Sequence, residues 1–174
     1  MQEEVKIPKE RIAILIGEKG LTRRKIQNKT KCKIIVSSKD GDVIIESEDN
    51  FNIFLTEKVI RAIGRGFNPD TALKLLNDDY ILEIINIHDY SGKSKKQEIR
   101  IKSRAIGTQG KARKNIEKMT NCEICVYGKT ISIIGKIDNV YLAKMALDKL
   151  LHGSPHSNVY KWIEYQKQRE EILQ

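Results

Sequence analysis

Ile16-Gly17-Glu18-Lys19-Gly20 and Ile106-Gly107-Thr108-Gln109-Gly110 are one phrase written twice, ninety residues apart. The register holds beyond the glycines: Arg23 falls on Arg113, Arg24 on Lys114, Ile26 on Ile116, Thr30 on Thr120, Cys32 on Cys122, Ile34 on Ile124 and Val36 on Val126. A repeat this long marks two copies of one supersecondary unit. The 174 residues then divide into two modules of about 70 to 80 residues, each small enough to be marginal alone, so that packing of one on the other is expected.

Working outward from the first phrase, residues 3 to 7 alternate as a strand before Pro8, and Ile12, Leu15 and Ile16 lay a helical stripe up to Gly17. A second helix runs from about Thr22 to Thr30. Lys33 to Ser38 reads as a strand, Asp40-Gly41-Asp42 as a turn and Val43 to Glu46 as the returning strand. Phe51, Phe54, Leu55, Val59, Ala62 and Ile63 make the apolar face of a longer helix. Ala72, Leu73, Leu75 and Leu76 predict a connecting helix after Pro69. The order then repeats: a strand over Tyr80 to His88, a loop at Ser91-Gly92-Lys93, and a helix opened by a capping box at Ser94 and Gln97, with the Ile99/Ile101 alternation leaving a strand open there. Past Gly110, Ala112, Ile116 and Met119 form a buried stripe and Lys111, Lys114 and Lys118 a basic one. Strands at Glu123 to Val126 and Thr130 to Ile134 meet around Tyr127-Gly128-Lys129. Asp138 is placed to cap a helix facing inward with Val140, Ala143, Leu147 and Leu150, which ends at Gly153-Ser154-Pro155. The last 17 residues read as a mixed-charge helix that docks through Val159, Trp162, Ile163 and Ile172. The expected division is 1–67, 68–77 as connector, 78–153, and 154–174 as a helical tail.

Charge is concentrated where the phrase occurs. The net charge is +9, and residues 9 to 31 hold eight Lys or Arg against two acids while residues 93 to 118 hold ten against two. These windows carry 18 of the 32 basic side chains and point to a polyanionic partner. Met-Gln-Glu-Glu-Val-Lys lacks the pattern of a secretory signal, no apolar run reaches membrane-spanning length, and three cysteines are too few for a disulfide framework. An intracellular, cytoplasmic protein is expected.

Two glycines three apart let a backbone turn tightly, and the helix that follows offers unpaired N–H groups and a positive dipole end to an approaching phosphate. Arg23, Arg24, Arg104, Lys111, Arg113 and Lys114 would add attraction, and Ile116, Ile124 and Val126 an apolar floor for unstacked bases. Without a ligand, the same residues would be a glycine turn between helices with a solvated charged rim. With its two G-x-x-G loops and strand-first, helix-last order, the chain resembles the KH family of the eukaryotic type, type I. That resemblance implies an α+β fold of two tandem domains, each a three-stranded sheet with three helices, plus a C-terminal helix, and a loop that clamps about four nucleotides of single-stranded nucleic acid. The RNA-contacting residues it implies are Gly107, Thr108, Gln109, Gly110, Lys111, Arg113, Lys114 and Arg104 in the second copy, and Gly17, Lys19, Gly20, Arg23 and Arg24 in the first.

The pair of modules, with Leu151-His152-Gly153-Ser154-Pro155-His156 before Val159-Tyr160, is similar to the archaeal two-KH small-subunit ribosome-assembly factors that partner the Nob endonuclease. The resemblance implies binding near the 3′ end of precursor small-subunit rRNA, with the processing endonuclease and an rRNA dimethyltransferase as neighbours. An mRNA-binding or exosome-associated KH protein, and a protein-interaction scaffold with degenerate loops, fit the same residues. Arg23 and Arg113 depart from the family, which favours an apolar residue at that position. Glu18 in the first loop would repel a phosphate, so the second module is expected to dominate RNA binding.

No enzyme motif appears. Cys122-Glu123-Ile124-Cys125 has C-x-x-C spacing, but residues three apart in a strand face opposite ways and do not readily chelate together. His152 and His156 are separated by Gly153 and Pro155, and Asp40, Asp42, Asp78 and Asp79 read as turn formers. No cofactor, metal or catalytic residue is expected. Trp162 reads first as a staple for the tail and second as an interface anchor.

Overall fold

The computed structural model of the protein describes residues 1–37 and 39–173, which form two compact units meeting in sequence at Tyr80 and Ile81. In the first, β1 (Gln2–Lys6) and α1 (Lys9–Ile16) lead through a one-turn 3-10 helix, Glu18–Gly20, to α2 (Leu21–Thr30); β2 (Lys33–Val36), β3 (Asp42–Glu46) and α3 (Asn50–Gly64) follow. The sheet order is β1-β3-β2 and both pairings are antiparallel, with Val5 opposite Val43 and Ile34 opposite Ile45. Period-two alternation buries Val43 and Ile45 completely, and α3 packs on β1 and β3. The strand expected to reach Ser38 ends at Val36, and Ser38 lies outside the described residues.

The stripe of α3 differs from the one read in the sequence. Ile53, Thr56, Val59, Ile60 and Ile63 face the core, whereas Phe51 and Phe54 are half exposed. The segment has more apolar residues than one stripe holds, Phe51 and Phe54 among them, so more than one stripe fits its periodicity, and packing chose the one that also lets Thr56 turn inward. Its hydroxyl is satisfied there by donating to the Asn52 carbonyl at 2.7 Å. The expected connector is α4 (Pro69–Ala72), capped by the Asn68 side chain, continued by a 3-10 turn, Leu73–Leu76; both pieces pack on α3.

The second unit repeats the plan with β4 (Tyr80–Asn86), a short α5 (His88–Ser91), α6 (Lys95–Ile106), a 3-10 turn Thr108–Gly110, α7 (Lys111–Thr120), β5 (Glu123–Tyr127), β6 (Thr130–Lys136), α8 (Ile137–Leu151) and α9 (His156–Leu173). Its sheet order is β4-β6-β5, with β5 and β6 antiparallel around Gly128 and Lys129. Ser94 caps α6 by accepting from the Gln97 N–H, and the Ile99/Ile101 segment is helical, with Ile101 buried and Ile99 exposed. Asp138 is in the first turn of α8 rather than at its cap, which is Lys136 and has no side-chain bond; there Asp138 complements the helix dipole. The tail helix packs on α7 and α8 through Val159 and Ile163, and Trp162 lies against the core with the Lys149 Nζ 4.9 Å from its ring centroid. Ile172 takes no part, being 83% exposed. Among the described residues no helix is long and apolar enough to cross a membrane.

The two units share details below the level of elements. Thr30 and Thr120 are buried and donate to the carbonyls of Ile26 and Ile116; the Cys32 and Cys122 thiols then donate to the Thr30 and Thr120 carbonyls. Burial pushes the Cys122 thiol up to about 11, as befits a packing residue rather than a nucleophile. Both α2 and α7 end on a left-handed residue, Lys31 at φ 55° and Asn121 at φ 55°. Asn adopts this conformation readily and Lys does not. Lys31→Gly should therefore raise stability by about 1 kcal/mol, a gain of several degrees in Tm on thermal denaturation, while Asn121→Gly should yield less.

Candidate nucleic-acid interface

The loops of the repeat have one backbone. Gly17, Lys19 and Gly20 have φ/ψ of 73/176°, 50/27° and 77/14°; Gly107, Gln109 and Gly110 have 72/176°, 54/28° and 74/14°. The two glycines of each loop are required for different reasons. The first combines positive φ with extended ψ, a region essentially closed to other residues. A Cβ on Gly107 would also stand 2.7 Å from the Ala112 nitrogen, and one on Gly17 would stand 2.8 Å from the Thr22 nitrogen. The second glycine is left-handed but uncrowded. A Cβ on Gly110 would have only the Lys114 Cε, 3.8 Å away, and the Arg113 Nη2, 4.0 Å away, as neighbours; one on Gly20 would meet the Arg24 and Arg23 guanidinium nitrogens at 3.7 and 4.0 Å.

Two cationic tips thus converge beside each second glycine. Below them α2 and α7 start with glycine as N-cap and no side-chain capping bond; the first N–H of each, on Leu21 and Lys111, donates to the Glu18 and Thr108 carbonyls of the 3-10 turn, and the positive end of each helix dipole faces the loop. The loops differ in openness. Gly20 is buried, and Arg24 donates back to the Lys19 carbonyl; Gly110 is half-buried, and Thr108 and Gln109 are exposed. Glu18 is exposed in the first loop and has no acidic counterpart in the second.

The unexpected arginine after the second glycine has a structural explanation. Arg113 Nη1 donates to the Ile124 carbonyl of β5 at 3.2 Å and lies 3.7 Å from Glu117, whose Oε1 accepts from the Ile124 N–H at 2.7 Å. The side chain therefore bridges an edge strand and the loop. In the first unit Gln27 Oε1 accepts from the Ile34 N–H at 2.8 Å. Charge and periodicity do not point to Gln27 or Glu117, although their shared ninety-residue offset is a signal that could find them.

Three expected site residues stand elsewhere. Ile116 and Ile124 are 0% and 3% exposed and belong to the core, so they support the loop and β5 from behind instead of offering an open floor; Val126 is half-buried. The reason is the inward register of α7 and β5, which turns Ile116 and Ile124 toward the domain core. Arg104 is partly buried and donates through Nε to the Leu150 carbonyl at 2.9 Å and through Nη2 to the Ser154 carbonyl at 2.6 Å. Arg11 makes the same tie in the first unit, to the Ile63 and Phe67 carbonyls, both at 2.8 Å. Each guanidinium satisfies carbonyls where the last domain helix ends, so Arg104 is chiefly a structural tie. Arg11 and Arg104 do not share the repeat offset; they sit about one helical turn apart in it and reach the same place.

In the first unit Ile14, Leu21 and Ile35 are apolar and exposed. Their repeat partners are Arg104, Lys111 and Cys125, so the corresponding surfaces of the two units are chemically unlike. Among the described residues no group of three or more His, Cys, Asp or Glu side chains comes together as a metal site.

Residues 81–168 match the family described as eukaryotic type KH domain (KH domain type I), and residues 2–66 match the KH domain family. A KH domain-containing protein of Methanocaldococcus jannaschii is 40% identical over 96% of this chain and 74% of its own length. The RNA-binding protein pno1 of Drosophila melanogaster is 33% identical over 66% of this chain, and the match spans about half, 48%, of that relative. Among solved structures, Dim2p from Pyrococcus horikoshii is similar with 43% identity and a TM-score of 0.86 over 95% of this chain and 99% of that one. The same organism's complex of a/eIF2alpha, aDim2p and rRNA matches with 43% identity and a TM-score of 0.89, over 97% of this chain and 95% of that one.

The glycines can be told apart by stability. Gly107→Ala should cost about 3 kcal/mol, combining backbone strain with overlap on Ala112, and Gly110→Ala only about 1 kcal/mol. Equal losses in chemical denaturation would contradict the separate roles.

Proposed function

The chain belongs to the KH family of the eukaryotic type, type I, with two of its domains, and on that premise we propose that it binds single-stranded precursor small-subunit rRNA near the 3′ end as a non-catalytic assembly factor. The observation that carries this reading is the open approach to Gly110, flanked by Arg113 and Lys114, above the uncapped start of α7. A phosphate there would meet two cations and the positive end of the α7 dipole while the glycine keeps the ribose-phosphate chain from colliding with a side chain. The rRNA target is supported by the likeness to aDim2p, solved in a complex with rRNA, and to pno1 proteins, some named for pre-rRNA processing.

In this reading the second loop dominates and the first, with Glu18 and with Arg24 folded back onto Lys19, binds more weakly. The protein holds the RNA end in the cytoplasm so that a processing endonuclease and an rRNA dimethyltransferase act at the right nucleotides. Affinity comes chiefly from phosphate neutralisation and therefore falls with added salt.

Gly110→Asp places a carboxylate where the phosphate would lie. Losing a charge-assisted contact is worth about 1.5–3 kcal/mol, so affinity for a 12-nucleotide RNA copied from the rRNA precursor's 3′ end should fall roughly tenfold to a hundredfold at fixed salt. Gly20→Asp should have a smaller effect. Unchanged binding by Gly110→Asp in a fluorescence anisotropy titration would sink the proposed mode.

A further inference from the structure

A cleft of about 500 Å³ lies behind the second loop, walled by α6, the start of α7 and the tail helix α9. It is distinct from the side that Arg113 and Glu117 address. On α7, Arg113 and Glu117 are four apart and turned to β5, whereas Lys111 and Asn115, also four apart, line the cleft. The two pairs are offset by two residues, or about 200° around the helix. The cleft and the β5 side therefore share the loop but occupy opposite faces of α7.

The cleft is held in shape by bonds already described and one more. Arg104 ties α6 to Leu150 and Ser154, and the His156 Nε2 donates to the Arg104 carbonyl at 3.0 Å, fixing the first turn of α9 against α6. Tyr160, one turn further on, is half-buried, packs against the domain core and lines the cleft. Arg100 and Lys111 are exposed at its rim, Ser103 and Asn115 offer polar atoms, and none of the lining residues is acidic. In the first unit only the short α4 and a 3-10 turn follow α3 among the described residues, so no long tail helix stands in the corresponding place.

We propose that this cleft takes one nucleobase of the same RNA strand, next to the nucleotides gripped by Gly107–Gly110. The base lies against Tyr160, and its phosphate is neutralised by Lys111 and Arg100. The inference rests on the RNA-binding reading above and extends it to a second face of α7. An aromatic ring anchored in a core is a stacking platform with little entropy left to lose, and a rim of cations without acids selects an anionic ligand. Gly107, Thr108 and Lys111 border both places, so a strand leaving the loop enters the cleft directly.

The test uses the full chain and 5′-fluorescein single-stranded RNAs of 4, 8 and 12 nucleotides copied from the rRNA precursor's 3′ end. Tyr160→Ala should weaken binding of the longest RNA roughly 5- to 150-fold, the range for removing a stacking aromatic, with the 4-nucleotide RNA unaffected and Tyr160→Phe close to wild type. If Tyr160→Ala leaves the 12-nucleotide affinity intact while Gly110→Asp reduces it, the cleft proposal fails and the loop reading stands. If Gly110→Asp is also without effect, the loop reading itself has failed. Arg100→Ser, on the exposed face of α6, guards against misfolding of the tyrosine variant: it should lower the slope of log affinity against log salt by about one, and an unchanged slope overturns the proposal.

Discussion

A helix-to-helix turn that permits no Cβ at its first glycine is the constraint on which the rest of each unit depends. Gly107 lies close enough to the Ala112 nitrogen that a methyl group would overlap it, and Gly17 stands in the same relation to Thr22. That closeness fixes where α2 and α7 begin relative to α1 and α6. It also leaves their N-termini without a side-chain cap, and it carries the second glycine to a place where only cationic side chains approach. The loop is thereby built largely from backbone, with cationic side chains at its rim.

The guanidinium ties complete this arrangement from the opposite end. Arg11 and Arg104 cross from the helix before the glycines to the carbonyls that end α3 and α8. Each tie satisfies two backbone acceptors with a charge-assisted donor, a stronger bond than a neutral pair makes. In the second unit the tie also anchors the tail: Ser154 accepts from Arg104, and His156 donates to its carbonyl. The tail thus becomes a wall beside the loop, and the second unit acquires a cleft that the repeat alone does not encode.

The loops are one backbone in two chemical settings. The first unit exposes Ile14, Leu21 and Ile35 and carries Glu18 in its loop; the second has Lys111 beside its loop and Gly110 open. Duplication preserved what the turn requires and left the surroundings free to diverge, because the requirement is steric and local. Arg113 stands outside this divergence, since Arg23 holds the same place in the first copy. Its length spans from β5 to the loop, which the apolar residue usual at that position in the family would not do.

Much of the fold was legible from the chain. The glycine phrase, the ninety-residue register and the alternation of Val43 and Ile45 reflect local geometry, in which turn sterics and residue periodicity act over a few positions, and these determined the repeated order and the duplicated loop, though not α5, where the expected strand and loop give way to a short helix at His88–Ser91. Side-chain destinations were decided by tertiary packing. Phe51 and Phe54 lost the inner face of α3 to Ile53 and Ile60 because the helix has more apolar residues than one face holds and only its neighbours select among them. Ile116 and Ile124 went into the core, and Arg104 to carbonyls 46 and 50 residues away, because those partners are distant in sequence and no spacing rule reports them. The sequence alone determined that a glycine turn occurs twice in basic surroundings; three-dimensional contact decided which charges reach each turn and that a tail helix shapes the space behind one of them.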